Sequence, residues 1–246
     1  TNDGDPAQFE QFKRCIEEEL PSIPVLSVTG NHDYPKEPHP MVFQGCEDYG
    51  HFQAWLMDRA HVLGVDCVED ESGAYCATFK GINIIGLNAV SHWRRFVFPH
   101  GSQIKWLRAR LDAMPDRRHI ILCHAPLIAH CPARDPADAP YLSRDASLQQ
   151  AVDAGRSVIF LSGHTHLSIN DAQGYITRDA ERDNLYINDS SVVATTLKTE
   201  ETMTDHAWVE GAVIQICLNQ SFVELTGLSI PSGAKIARGY YRYMCN

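Results

Sequence analysis

The 246-residue chain lacks any apolar run near the roughly 20 residues that a membrane-spanning helix needs, so no bilayer segment is expected. It lacks a basic-then-apolar leader at Thr1, so no secretory signal is read there. It has no C-x-x-C pair among its eight cysteines. That argues against a thiolate zinc site or a disulfide framework and for reduced, mostly buried thiols, with a cytoplasmic location expected. Basic residues are outnumbered 31 to 21, for a formal charge of −10. Nucleic-acid backbones are bound through Lys and Arg, so no nucleic-acid partner is expected. The same charge repels anionic substrates at long range unless bound cations invert the local field. No internal repeat or low-complexity linker divides the chain, and residues 1–246 read as one domain.

Among what is present, the twelve histidines stand out. Two of them, His164 and His166, sit in Ser162-Gly163-His164-Thr165-His166, directly after the apolar run Ser157–Leu161. A β-branched run bounded by glycine predicts a buried strand that stops abruptly. Gly163 is expected to let the backbone bend so that both rings face one point or two adjacent points. Pro24–Thr29 predicts a second strand, running into Gly30-Asn31-His32-Asp33. His119–Cys123 predicts a third, followed at once by His124-Ala125-Pro126. Strand ends on one side of an open α/β sheet converge, so Asn31 with His32, His124, and His164 with His166 can share one site. Imidazole nitrogen and carboxamide oxygen suit Mn, Fe or Zn, and the absence of thiolate points to a catalytic ion.

The remaining pattern fills in around these strands. Helices are predicted from Ala7 to Leu20, from Tyr49 to Leu63, from an N-cap at Ser102 to Pro115, and from Asp145 or Ser147 to about Gly155. Ala74–Phe79 and Ile82–Leu87 read as a hairpin turning at Lys80-Gly81. Leu185–Asn188, Val213–Leu218 and Phe222–Leu228 read as strands of a second sheet. Tyr34–Gly50 and Leu127–Ser143 read as loops over the site. Asn88 and His92 follow a strand, within reach of substrate or in a plain loop. His39, His51, His130 and His206 read as solvent or loop residues. Asp3 and Asp5 read as helix-flanking carboxylates, and Trp55, Trp93, Trp106 and Trp208 as packing residues.

Taken in order, Gly30-Asn31-His32-Asp33, His124 ahead of Ala125-Pro126, and Gly163-His164-Thr165-His166 resemble motifs of the calcineurin-like metallophosphoesterases. The resemblance runs from Thr1 to roughly Asn188. It implies an α/β fold, a four-layer αββα sandwich with two mixed β-sheets. It implies two divalent metal ions sharing a bridging Asp and a bridging water, with Asn31, His124 and His164 on one ion and His166 on the other. It implies that His32 is not a ligand but gives a proton to the leaving-group oxygen, with Asp33 fixing its tautomer. The reaction implied is attack of metal-bound hydroxide on a phosphodiester or phosphomonoester. The substrate is then a small phosphate ester, with a lean towards diesters and cyclic nucleotides among the candidates.

The sequence departs from that family in two places. No Asp-x-His occurs in it, and the motif Gly-Asp-x-x-Asp or Asn is represented only by a tail at Thr1-Asn2. The expectation is an N-terminal truncation, with the bridging Asp and the first strand and helix lying before Thr1. If the protein starts at Thr1, the better expectation is a non-catalytic binding module of the same fold. A third reading, a thiol hydrolase built on Cys123 beside His124, is weak, because strand neighbours point to opposite faces.

Overall fold

Four aliphatic, β-branched runs form the middle of the molecule, and their alternation decides what covers each face. A computed structural model describes residues 4–34, 47–92, 95–130, 139–166, 169, 176–189, 195–199, 202–209, 211–219, 221–230 and 232–244. The central runs are β3 (Ile82–Leu87), β6 (His119–Cys123), β7 (Val158–Ser162) and β9 (Asn184–Asn188), paired in parallel in that order. Antiparallel neighbours complete a seven-stranded sheet: β1 (Asp66–Glu69) and β2 (Tyr75–Phe79) beside β3, and β8 (Ile176–Asp179) beside β9. Helix α3 (Ser102–Ala113) connects β3 to β6, and α4 (Asp145–Asp153) connects β6 to β7.

Side chains two apart share a face. Ile85, Leu87, Ile121, Cys123, Val158, Phe160 and Tyr186 all point one way, into a core with Ile104, Leu107 and Leu111 of α3 and Leu148 and Val152 of α4. The alternate residues Ile159, Leu185 and Ile187 point the other way. They pack against Val223, Leu225 and Tyr243 of a second sheet, β12 (Gly211–Leu218), β13 (Phe222–Ile230) and β14 (Lys235–Met244). Tyr75 of β2 joins a third cluster with Phe9 and Ile16 of α1 (Pro6–Glu19) and Phe52, Leu56 and Met57 of α2 (Glu47–Val62). Parallel strands buried on both faces read as continuous apolar runs, which is why they were visible in the sequence. Two further pairs, β4 (Val90–His92) with β5 (Arg95–Val97) and β10 (Thr195–Thr199) with β11 (Thr202–Val209), lie outside these sheets.

The mixed α/β architecture, with a large mixed sheet and flanking helices, is the expected one. Four details differ. Leu185–Asn188 belongs to the first sheet, because β9 pairs with β7 from Ile159–Leu185 to Ser162–Asn188. Among the described residues the strands of the second sheet pair antiparallel, since β12, β13 and β14 follow one another in hairpins. Pro24–Thr29 is extended but joins no ladder among the described residues. It is held by groups outside the ladder, among them the Tyr75 hydroxyl, which donates to the Ser27 carbonyl at 2.9 Å. Gly101, at φ +66°, occupies the cap of α3, and the Ser102 hydroxyl donates backwards to the Pro99 carbonyl at 3.1 Å. Asp5 does cap α1, its Oδ1 accepting from the Ala7 amide at 2.8 Å, a contact of a kind worth about 1 kcal/mol.

Candidate active site

Parallel pairing brings the carboxyl ends of the central strands to one edge. Leu87 lies opposite Cys123, Leu122 opposite Leu161, and Ser162 opposite Asn188. The residues that follow, Asn88, His124, Gly163-His164 and Asp189, therefore emerge side by side. A single 3-10 turn, Asn31–Asp33, brings Asn31 to the same edge. With its Nε2 protonated, His124 donates to Asn31 Oδ1 at 3.1 Å.

The His164 ring lies 5.2 Å from the His124 ring, centroid to centroid, at 70°. Phe96 meets both rings edge-on, at 5.5 and 5.0 Å, and Tyr141 meets His164 at 4.7 Å. Aromatic edges of this kind fix ring orientation through quadrupole contacts as well as volume. The backbone is tied too: the Gly163 amide donates to the His124 carbonyl at 3.0 Å. His164 and His166 themselves take left-handed conformations, φ +66° and +54°. For a residue other than glycine this costs of order 1–3 kcal/mol, and such strain clusters at functional sites.

The bend expected at Gly163 is thus made by the two histidines. Gly163 is required for a different reason. A Cβ on it would lie 3.0 Å from Asp189 Oδ1, so a side chain there would have to push the Asp189 carboxylate aside by a few tenths of an ångström. Gly30 has a similar constraint, since a Cβ there would sit 3.1 Å from His124 Cε1.

Burial pushes the His124 imidazole from its ordinary 6.5 down to about 3. Neighbouring His164, His166 and His32 push the same way, and Asp33 opposes them. The four groups are therefore close enough to act on one ring. Burial and the three imidazoles keep it neutral at ordinary pH, the form in which imidazole binds metal. His32 is exposed at the rim. Asp33 Oδ2 accepts from the Gly30 amide at 2.8 Å, so part of its capacity goes into closing the turn.

The donors present suit a divalent cation. Bond lengths of 2.0–2.2 Å put adjacent ligand atoms about 3 Å apart, the spacing found between Asn31 Oδ1 and His124 Nε2. The set is nitrogen and oxygen without thiolate, which fits Mn, Fe or Zn. Among the described residues no group of three or more His, Cys, Asp or Glu is gathered as a metal site.

Several residues have roles the sequence did not assign. Asn88 is fully buried and bonded on every side, so it does not line a substrate surface. Asn188 Nδ2 donates to the Gly163 carbonyl at 3.0 Å. The only signal for Asn188 and Asp189 was their place after an apolar run assigned to the wrong sheet. His130 stacks on Tyr186, rings 3.4 Å apart, and Nδ1 pairs with Thr177 Oγ1 at 2.9 Å. His51 is exposed as expected. Cys123 is buried in the helix-side core and its thiol is pushed up to about 12, which removes the thiol-hydrolase reading. Asp3, Trp93, the side chains of His92, His206 and Trp208, and, within the two loops over the site, residues 35–46 (His39 among them) and 131–138 lie outside the described residues.

Fold and site together define an α/β protein that collects histidines and a carboxamide at the carboxyl edge of a parallel strand core. A family model described as calcineurin-like phosphoesterase matches residues 1–168, and the chain belongs to that family. Its members are metal-dependent phosphoester hydrolases that typically bind divalent cations. The match ends just past His166, short of the reach to Asn188 expected from the motifs. A search of curated proteins finds no match. No helix among the described residues is long and apolar enough to cross a membrane.

Proposed function

We propose that the protein cleaves small phosphate esters, diesters in preference to monoesters, at the edge formed by β3, β6 and β7. The observation that carries this reading is the meeting of Asn31 Oδ1 with His124 Nε2, beside the His164 ring, at the ends of separate chain segments. Asn31, His124 and His164 would hold one divalent ion and His166 would help hold a second. When bound, such ions polarise phosphoryl oxygens and lower the pKa of water.

The chain's own residues supply the rest. His124 stays neutral and keeps a ring nitrogen available as a donor. Phe96 and Tyr141 hold the imidazole planes. His32, exposed on the turn, would give a proton to the departing oxygen, and Asp33 stiffens the turn that carries it.

The test is turnover of bis-p-nitrophenyl phosphate and p-nitrophenyl phosphate with Mn²⁺. Expected are EDTA-sensitive hydrolysis and a higher kcat/KM for the diester. Absence of turnover with Mn²⁺, Fe²⁺ and Zn²⁺ alike overturns the reading. Metal uptake without turnover would make the chain a binding module instead.

A further inference from the structure

The turn Gly30–Asp33 is clamped at both stems by two consecutive residues just past the end of β3. On the incoming side the Thr29 amide donates to Asn88 Oδ1 at 2.8 Å, and the Thr29 hydroxyl donates to the Ala89 carbonyl at 3.1 Å. On the outgoing side the Tyr34 hydroxyl donates to the same Ala89 carbonyl at 3.2 Å.

Asn88 is itself held rigidly. Its Nδ2 donates to Gln53 Oε1 at 2.6 Å and to the Gly73 carbonyl at 2.7 Å. Gln103 brackets its backbone, accepting from the Asn88 amide at 2.8 Å and donating to the Asn88 carbonyl at 2.7 Å. The carboxamide is buried, with both donor hydrogens and its oxygen used. A satisfied buried network of this kind specifies one arrangement, because every alternative leaves a polar group unpaired.

Leu87 of β3 lies opposite Cys123 of β6, so Asn88 and His124 are the next residues on neighbouring strands. One of them grips the turn, and the other touches Asn31 within it. We propose that Asn88 is a positioning residue, whose carboxamide sets the Gly30–Asp33 turn against the end of β6 so that Asn31 Oδ1 meets His124. The proposal rests on the functional reading above and deepens it. It concerns a residue that touches none of the proposed ligands.

Two measurements test it. Hydrogen exchange at the Gly30 and Asp33 amides reports the turn in the metal-free chain, since these two groups bond within it. Calorimetric titration with Mn²⁺ reports the donors. Asn88→Leu keeps the side chain's size and removes the amide. Asn184→Leu removes a buried carboxamide of the same kind at the other end of the strands, where Asn184 Oδ1 accepts from the Val158 amide, and leaves the Asn88 cluster in place.

Expected for Asn88→Leu is at least tenfold faster exchange at both amides and at least tenfold weaker Mn²⁺ binding. Asn184→Leu should stay within twofold of the native chain in both, even where its melting temperature falls equally. Equal effects from the two variants, or an Asn88→Leu chain within twofold of native, overturn the proposal.

If Asn88→Leu does not fold, exchange in the native chain decides, because the Thr29 amide donates to Asn88 Oδ1 and so reports the clamp itself. Exchange of the Thr29, Gly30 and Asp33 amides with opening free energies that fall together in urea supports the proposal, and a Thr29 amide that opens at least tenfold more often than the other two overturns it. A native chain that takes up no Mn²⁺ defeats the metal reading alone, and the exchange rates still decide the role of Asn88.

Discussion

Asn31 and His124 are 93 residues apart in the chain, yet Oδ1 of one lies 3.1 Å from Nε2 of the other. If this pair holds metal, Asn31→Ala should weaken Mn²⁺ binding by about 10–100-fold, the range seen when a metal site loses a supporting group. Asn31 is only partly buried, so the metal-free chain should melt within a few degrees of native. Calorimetric titration beside a thermal melt separates the two effects. Unchanged affinity removes Asn31 from the donor set.

His32 is exposed, and its replacement should leave stability within about 0.5 kcal/mol. If His32 is the proton donor, it should contribute about 10²–10⁴-fold, but only where the departing oxygen needs the proton. His32→Ala should therefore depress kcat strongly for an alkyl phosphodiester and little for a p-nitrophenyl ester, whose leaving group departs as a stable anion. Equal losses on both substrates count against proton donation.

Gly30 has φ −103°, a conformation any residue adopts, so backbone strain does not decide its replacement. The constraint is the His124 ring, 3.1 Å from where a Cβ would sit. Gly30→Ala should push that ring by a few tenths of an ångström. A misplacement of about 1 Å at a site can cost roughly 10²-fold, so a smaller one should cost roughly tenfold in kcat/KM at almost unchanged melting temperature. A large loss of stability without a kinetic effect would place the contact outside the working site.

The metal-free chain should lose stability in acid through His124. Its folded value of about 3 lies below the ordinary 6.5, so between these limits the unfolded chain binds the extra proton. The contribution is complete above pH 6.5 and is lost as pH falls towards 3, by up to about 1.4 kcal/mol per pH unit for this group. Urea unfolding in EDTA at pH 7, 5.5 and 4.5 should show a steeper decline for the native chain than for His124→Gln. Parallel curves would contradict a buried, neutral His124. His119, whose value is also lowered by burial, contributes to both chains alike.

Phe160 tests the sheet that carries the site. It is fully buried between β7 and the helix-side core. Phe160→Ala should cost about 3–5 kcal/mol in urea unfolding, through lost transfer energy and the cavity left behind. A cost below 1 kcal/mol would mean that this face is not close-packed.

What the amino-acid order determined by itself was local. Ile82–Leu87, His119–Cys123 and Ser157–Leu161 announce strands because β-branched, apolar runs suit a sheet buried on both faces. Polar residues immediately past the last two of those runs, and past the strand-like run Pro24–Thr29, stand at the ends of extended segments, so Asn31, His32, His124, His164 and His166 could be named as one candidate group. Capping at Asp5 was legible for the same reason, since it involves neighbours in the chain. Partner choice was not local. Leu185–Asn188 has the same alternation whichever sheet it joins, and only pairing with β7 places Asn188 and Asp189 beside Gly163. Pro24–Thr29 has the composition of a strand, but a ladder needs a neighbour's backbone, and the groups that meet it include the side chains of Asn88 and Tyr75. Asn88 reads in sequence as a residue within reach of substrate or in a plain loop. Its role as a buried clamp exists only once β3, α2, α3 and the turn at Gly30 converge on one carboxamide, and a hydrogen bond between residues 59 positions apart leaves no periodic trace in the chain.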